Sequence, residues 1–396
     1  MVKILCVSIF GDEEDKCSSM WRLLDEQDVR YVNFLIDLDA PLIWHDCSFV
    51  SQQNYVHCDD DLCSQVQSTY ANYNNMSCPV TTKNPLISDW GYCGCSANMA
   101  NLVTGACESG LLNYDYFALN ASTGRNTKGD IMSQISPIGA CAKSSSFNSF
   151  PKNVIGVMPL SSSPSSILSN TYKYNSKKVI ALCLPSTTSA PGVLFTGIGP
   201  YNFTPKSSLD VSTLLSYTPL IKHPDSFGYF INIDAIVIKN RSISVPNATT
   251  KISTMEPYTK LRSDIYKQVV RRFSKVTRRI PTAKPVAPFN LCYYVPSNSS
   301  VNVPDIGFRV EGGRIWSIST ANSMKQVTRD TACLAFVDGG AKSEPAIVIG
   351  TFQLEDVLVV FNLENSTFGF GSSLLNIKSS CSKFNFTQVA SDETAF

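Results

Sequence analysis

Residues 34–47 read FLIDLDAPLIWHDC. Three apolar residues, Phe34, Leu35 and Ile36, run into Asp37; Asp39 follows, and the apolar pattern resumes at Leu42, Ile43 and Trp44. That is the layout of a strand carrying a carboxylate to a turn. It raises the question of whether Asp37 takes part in chemistry.

The chain around it is large enough to give such a residue a buried setting. At 396 residues and 43% hydrophobic content it can form a sizeable core and about two domains. Lys and Arg number 33 against 32 Asp and Glu, a formal charge of +1, so no global field favours nucleic acid or an anionic membrane, and charge-driven recognition has to be local. Only 16% of residues are charged, while Ser, Thr, Asn and Tyr are abundant, the balance of a secreted all-β protein. No apolar stretch reaches the roughly 18 residues of a membrane helix, so neither a membrane nor a nucleic acid is expected as partner.

Fourteen cysteines are present, seven of them between Cys47 and Cys107, and no pair forms C-x-x-C. Cys93-Gly-Cys95 is too short for zinc-ribbon spacing, and His45, His57 and His223 offer few other ligands, so no metal or other cofactor is expected. A disulfide framework in an oxidising compartment is the reading. Asn75, Asn120, Asn202, Asn240, Asn247, Asn298, Asn365 and Asn385 each head an Asn-x-Ser/Thr triplet, which agrees with glycosylation in a secreted chain. The first residues, MVKILCVSIFGDEEDK, have a short apolar run from Ile4 to Phe10 followed by acids where a cleavage site belongs, so no competent signal peptide is read there.

Short Val/Ile/Phe-rich runs with turn residues between them recur at 178–185, 192–201, 229–238 and 346–373, which predicts a mostly β sandwich or barrel architecture. The clearest helix is SDIYKQVVRRFSKV (263–276), with Ser263 as N-cap and Tyr266, Val269, Val270 and Phe273 on one face. SPSSILSN (163–170) is expected to form one or two turns. Ser, Thr and Pro interrupt the strand pattern over 202–226, giving two lobes, 31–215 and 216–396, behind an atypical segment 1–30. A Cys-rich polar insert, 51–115, lies inside the first lobe.

A strand ending in Asp at the junction of two β lobes is half of an aspartic protease site. That chemistry needs two close carboxylates sharing a proton, one acting as base on water and the other as acid to the substrate carbonyl. IDLDAPLIWHDC resembles the plant pepsin-like pattern hydrophobic-Asp-Thr-Gly-Ser-x-Leu-x-Trp-x-x-Cys. Asp37 takes the catalytic place and Trp44 and Cys47 keep register, but Leu38, Asp39 and Ala40 replace Thr, Gly and Ser, so the hydrogen-bonded turn is expected to be lost. In the second lobe KISTMEPYTKLRSDIY (251–266) resembles the matching stretch. Anchored on Leu261, Asp264 and Tyr266, it puts Ser253 at the second Asp position, with Thr254 and Met255 after it. A serine cannot share a proton with Asp37, so water activation loses a pole. Glu256 is the nearest substitute, but strand alternation is expected to aim it elsewhere. Asp37 then reads as a vestige hydrogen-bonded to Ser253 or to backbone.

The combined pattern, including YFINIDAIVIKNRSISV (229–245), VAPFNLCY (286–293) and ACLAFVDGG (332–340), resembles the plant inhibitor-like branch of aspartic-protease homologues over about residues 31–387. That branch includes cereal xylanase inhibitors, extracellular dermal glycoprotein and basic 7S globulin. The resemblance implies a bilobal pepsin-like fold and six disulfides among the twelve cysteines from Cys47 to Cys381, with Cys6 and Cys17 as extras. Counting leaves three pairings open for the last four cysteines; the resemblance implies Cys292–Cys333 and Cys183–Cys381. It also implies a secreted cell-wall protein that binds and inhibits a microbial glycoside hydrolase, whose paired acids would be met by basic side chains. RRIPTAKP (278–285) offers Arg278, Arg279 and Lys284 on a proline-stiffened loop. GGAKSEPA (339–346) offers Lys342, with Glu344 expected to repel the target's own carboxylates. The competing readings are a residual aspartic endopeptidase and a storage or peptide-binding globulin.

Overall fold

The computed structural model describes residues 3–5, 21–24, 29–49, 54–71, 92–115, 117–122, 131–135, 138–167, 169, 178–187, 192–203, 209–295 and 301–384. The chain is mostly β, arranged among the described residues in sheets of 15, 8 and 4 strands. The apolar runs read from the sequence are strands: Val179–Cys183, Val193–Thr196 and Ser226–Ile238 fall on three of them. The long run 346–373 divides into Ile347–Ile349, a short helix Thr351–Leu354, Leu358–Asn362 and Thr367–Phe370.

Strand Val29–Asp37 explains why its apolar residues are consecutive rather than alternating. Phe34 and Ile36 face the main core while Leu35 faces a second core with Trp44 and Val157, so both sides of the strand are buried over 34–36. It runs parallel to Val154–Pro159, with Pro159 opposite Asp37. Val154–Pro159 pairs antiparallel with Ile43–Asp46, which runs parallel to Ile138–Ala142. The second half repeats this order. Arg241–Ile252 runs parallel to Ile347–Ile349, which pairs antiparallel with Thr259–Leu261, itself parallel to Phe336–Asp338. In both halves the first strand of the set runs into a turn, and the next strand begins six residues after Asp37, the last residue of its strand, and six after Ser253, the first residue past Arg241–Ile252. Asp37 and Ser253 are therefore topological equivalents, although no repeat is visible in the sequence.

Within the stretch set apart as 1–30, the described residues form strands that pair with the rest of the fold. Trp21–Leu24 forms a hairpin with Val29–Asp37, and Lys3–Leu5 pairs with Val193–Thr196 and Phe117–Ser122. The two halves also share a sheet, because Val179–Cys183 pairs with Leu358–Asn362 from the far end of the chain. Within the second half, Ser226–Ile238 and Arg241–Ile252 are joined by Lys239 and Asn240, both at positive φ, the geometry of a two-residue hairpin turn that follows the strand twist.

Helix Ser263–Val276 buries Ile265, Tyr266, Val269 and Phe273, with Val270 half-buried. Its N-cap differs from the expectation. Arg262 holds the cap position, and Ser263 is the first helical residue with its hydroxyl donated to Asp338 at 2.5 Å. The competing acceptor on the neighbouring strand end draws Ser263 away from the cap role. At the other end, Thr277 Oγ1 and the Tyr293 hydroxyl lie 2.6 Å apart, pinning the helix to strand Cys292–Tyr294. A serine-rich turn follows Leu160, with Ser166 N–H donating to Ser163 O at 3.1 Å.

Five disulfides are described: Cys47–Cys141, Cys58–Cys93, Cys63–Cys95, Cys183–Cys381 and Cys292–Cys333. Cys107 is also disulfide-bonded, whereas Cys6, Cys17 and Cys78 lie outside the described residues. Cys292 and Cys333 are direct cross-strand neighbours. Cys183–Cys381 closes a sequence separation of 198 residues. Because the cost of closing a loop in the unfolded chain grows with its length, replacing both Cys183 and Cys381 with Ala is expected to lower stability by about 3–5 kcal/mol. The drop should be read as a lower urea midpoint than that of the oxidised parent.

Candidate functional site

Asp37 sits where its strand ends, 4% exposed. The turn after it survives the loss of Thr, Gly and Ser, contrary to the sequence expectation: the Asp39 N–H donates to Asp37 Oδ1 at 3.0 Å. A backbone donor does not depend on side-chain identity, and Leu38 is simply buried in the main core. Of the two partners expected for Asp37, backbone is the one found. The Ser253 hydroxyl instead accepts the N–H groups of Met255 at 3.1 Å and Glu256 at 3.3 Å, closing its own turn.

Asp39 carries the more elaborate contacts. Its buried carboxylate accepts the Ser226 hydroxyl at 2.7 Å and pairs with the Lys251 ammonium. Lys251 lies two residues before Ser253, and both line the same cleft. Gly228 leaves the room this needs, since a Cβ there would stand 3.0 Å from Asp39 Oδ1. A second tie crosses between the halves, the Thr254 hydroxyl donating to Ile36 O at 2.6 Å, immediately before Asp37.

These residues floor a cleft of about 410 Å³ whose lining includes Asp37, Asp39, Lys251, Ser253, Glu256 and Glu344. Burial pushes the Asp37 carboxyl up to about 6; the charge of Asp39 adds to the rise, and Lys251 and the Asp39 and Ala40 N–H groups oppose it. Glu256 corrects the sequence reading. It stands on the turn beyond the strand end, where alternation no longer applies, and lines the cleft with its carboxylate held by Lys260 at 2.7 Å.

The two loops read as binding elements separate. Glu344 reaches the cleft rim and pairs with Arg262 at 3.3 Å, so its charge is answered within the chain. Lys342 is exposed and does not line the cleft. Arg278, Arg279 and Lys284 are exposed, also away from the cleft lining, and form no ion pair with a described residue. Their loop is nonetheless held firmly: Thr282 and Ala283 pair with Tyr293 and Cys292, and the Tyr294 N–H donates to Pro281 O at 3.0 Å. Sequence reading missed Tyr294, which is 52% exposed beside the basic residues. No alternation marks it, since Cys292 and Tyr293 are both buried and Tyr294 alone of the three is exposed.

His45 and His57 serve structure. His45 is fully buried with Nε2 3.0 Å from Asp115 Oδ1; burial opposes its charge, but Asp115 outweighs that and holds the imidazole above its ordinary range. His57, Cys58 and Asp59 are clustered, but Cys58 is bonded to Cys93 and has no thiolate to offer a metal. Of the sequons, Asn202, Asn240 and Asn365 are exposed. Asn120 and Asn247 lie within strands, and Asn75, Asn298 and Asn385 fall outside the described residues.

Residues 23–198 match the xylanase inhibitor N-terminal family and residues 228–372 the xylanase inhibitor C-terminal family. Among relatives, Chitinase CLP of Oryza sativa subsp. japonica is 32% identical, over 90% of this chain and 86% of its own length. Among solved structures, edgp superposes with a TM-score of 0.82 at 26% identity, covering 98% of each chain. Basic 7S globulin from soybean gives 0.78 at 25% identity, covering 97% of this chain and 98% of its own. The bilobal pepsin-like fold of these proteins is thus the fold of this chain.

The buried charges make two predictions. The folded chain keeps the Asp37 proton up to about pH 6, whereas an unfolded Asp releases it near 3.8. Between those values the unfolded state binds fewer protons, so this residue's contribution falls as pH rises and the full penalty applies above 6. Asp37→Asn is therefore expected to stabilise the protein by up to about 3 kcal/mol at neutral pH, with the gain fading toward pH 4, as measured by urea midpoints across that range. Lys251→Met, which leaves Asp39 without its cation, is expected to cost about 3 kcal/mol in the same assay.

Proposed function

The chain belongs to the xylanase-inhibitor family, and from that premise we propose that it is a secreted, non-catalytic protein that binds microbial cell-wall glycoside hydrolases, xylanases or xyloglucan endoglucanases, and blocks their clefts in plant defence. The observation that carries this reading is the loop 278–285. Three cations stand exposed with no acidic partner among the described residues, on a backbone fixed by strand pairing and two prolines. A glycosidase groove presents two carboxylates, and a pre-positioned guanidinium entering it loses little conformational entropy while gaining a desolvated charge pair. Tyr294 beside the loop adds a large, stiff contact surface of the kind that anchors interfaces.

The non-catalytic reading is supported by the cleft. Asp37 and Ser253 line the same cleft from the two equivalent turns, and on this reading Ser253 stands where a second carboxyl would share the proton. The nearby carboxylates of Asp39 and Glu256 are tied to Lys251 and Lys260. General acid and base cannot be divided between two groups when one is a serine. The described disulfides support an oxidising, extracellular destination.

The reading is tested by incubating the purified protein with a panel of microbial xylanases and xyloglucan-cleaving endoglucanases. At least one enzyme should be inhibited. Against it, Arg279→Glu should weaken inhibition by tenfold or more, roughly the cost of removing one partner of a buried interfacial pair. A loop that merely sits in solvent would lose almost nothing. Full activity across the panel, with no complex on gel filtration, overturns the proposal.

A further inference from the structure

Six ionisable side chains line the cleft between the two halves: Asp37, Asp39, Lys251, Glu256, Lys260 and Glu344. Five are committed to partners, Asp39 with Lys251, Glu256 with Lys260, and Glu344 with Arg262. Asp37 has no basic side chain within ion-pair distance among the described residues, only the backbone N–H groups of Asp39 and Ala40. Four carboxylates against two lysines leave the lining with an excess of negative charge. Arg262 does not cancel it, because it is shared between Glu344 and Asp264. Much of the remaining wall is apolar, with Trp44, Met99, Leu102, Val157, Met255 and Val348.

We propose that this cleft binds a small ammonium compound with an apolar body, the cation pairing with Asp37 and the body lying against Met99, Val157 and Met255. A carboxylate almost removed from water and lacking a counter-ion is unfavourable as it stands. A ligand cation supplies the missing charge, while its hydrocarbon part displaces water from apolar wall. A volume of about 410 Å³ is in the range of small-molecule sites. No bond changes in this event; it is binding alone. The site is remote in chemistry from the Arg278–Arg279 loop, so it stands or fails independently of hydrolase inhibition.

The charge of Asp37 governs the interaction, and the groups facing it are Asp39, Lys251, Glu256, Lys260 and Glu344 with Arg262. Since Asp37 is half-ionised at about pH 6, roughly a tenth of the molecules carry its charge at pH 5 and nearly all do at about pH 7.5. The test is titration calorimetry of the full chain with phenethylamine and with its neutral counterpart 2-phenylethanol at those two pH values. The amine is expected to bind about tenfold or more tightly than the alcohol at the higher pH. That preference should shrink by about tenfold at the lower pH and vanish in Asp37→Asn. The amine–alcohol comparison in the unaltered protein needs no variant to fold. Equal binding of the two compounds, no binding of the amine at the higher pH, or a preference that persists in Asp37→Asn overturns the proposal.

Discussion

The pairing of Asp39 with Lys251 is the contact around which the centre of this molecule is organised. Asp39 belongs to the first-half turn and Lys251 to a strand of the second half, and Ser226 adds a hydroxyl to the same carboxylate. An ion pair largely removed from water is weak as a source of net stability, but once formed it is costly to break. It therefore fixes how the halves meet more than how strongly they hold. The bulk of the holding comes from the shared sheet and from the apolar cluster running from Phe34 and Ile36 into Ile231, Ile252 and Phe361. The Thr254 to Ile36 hydrogen bond then sets the second turn directly against the end of the Asp37 strand.

With that geometry fixed, the two turns meet at the floor of one cleft. Two equivalent turns face each other, one bearing Asp37 and the other Ser253, and the lysine and acids around them are paired off. The only carboxylate left without a counter-charge at the floor is Asp37, among the described residues, and burial keeps its proton on until about pH 6. Exposed cations lie elsewhere, on the loop after the long helix, where the Cys292–Cys333 bridge and the Thr277–Tyr293 contact stiffen the base beneath Arg278 and Arg279.

Much of this was legible in the sequence where local rules and global packing agree. The mostly β architecture, the long amphipathic helix and the register of Trp44 and Cys47 behind Asp37 all follow from apolar spacing and motif order. The loop charges were legible too, because Arg278, Arg279 and Lys284 sit in a proline-bounded polar run. Failures occurred where one residue's partner comes from a distant part of the chain. Ser263 reads as an N-cap until Asp338 is placed beside it. The turn at Asp37 reads as lost if only side chains are counted, yet a backbone N–H keeps it. Glu256 reads as aimed away on strand alternation, but the strand has already ended.

By itself, then, the sequence determined the class of fold and the carboxylate at the end of the first strand, because each is written in contiguous residues with a fixed period. Only the tertiary structure decided which charges are spent and which remain. Asp39 and Lys251 are separated by more than two hundred positions, and Glu344 and Arg262 by 82. No local pattern links such pairs. Whether a side chain is a neutralised strut or a free charge depends on what the folded chain brings within a few ångströms of it, and on how much water is left there to screen it.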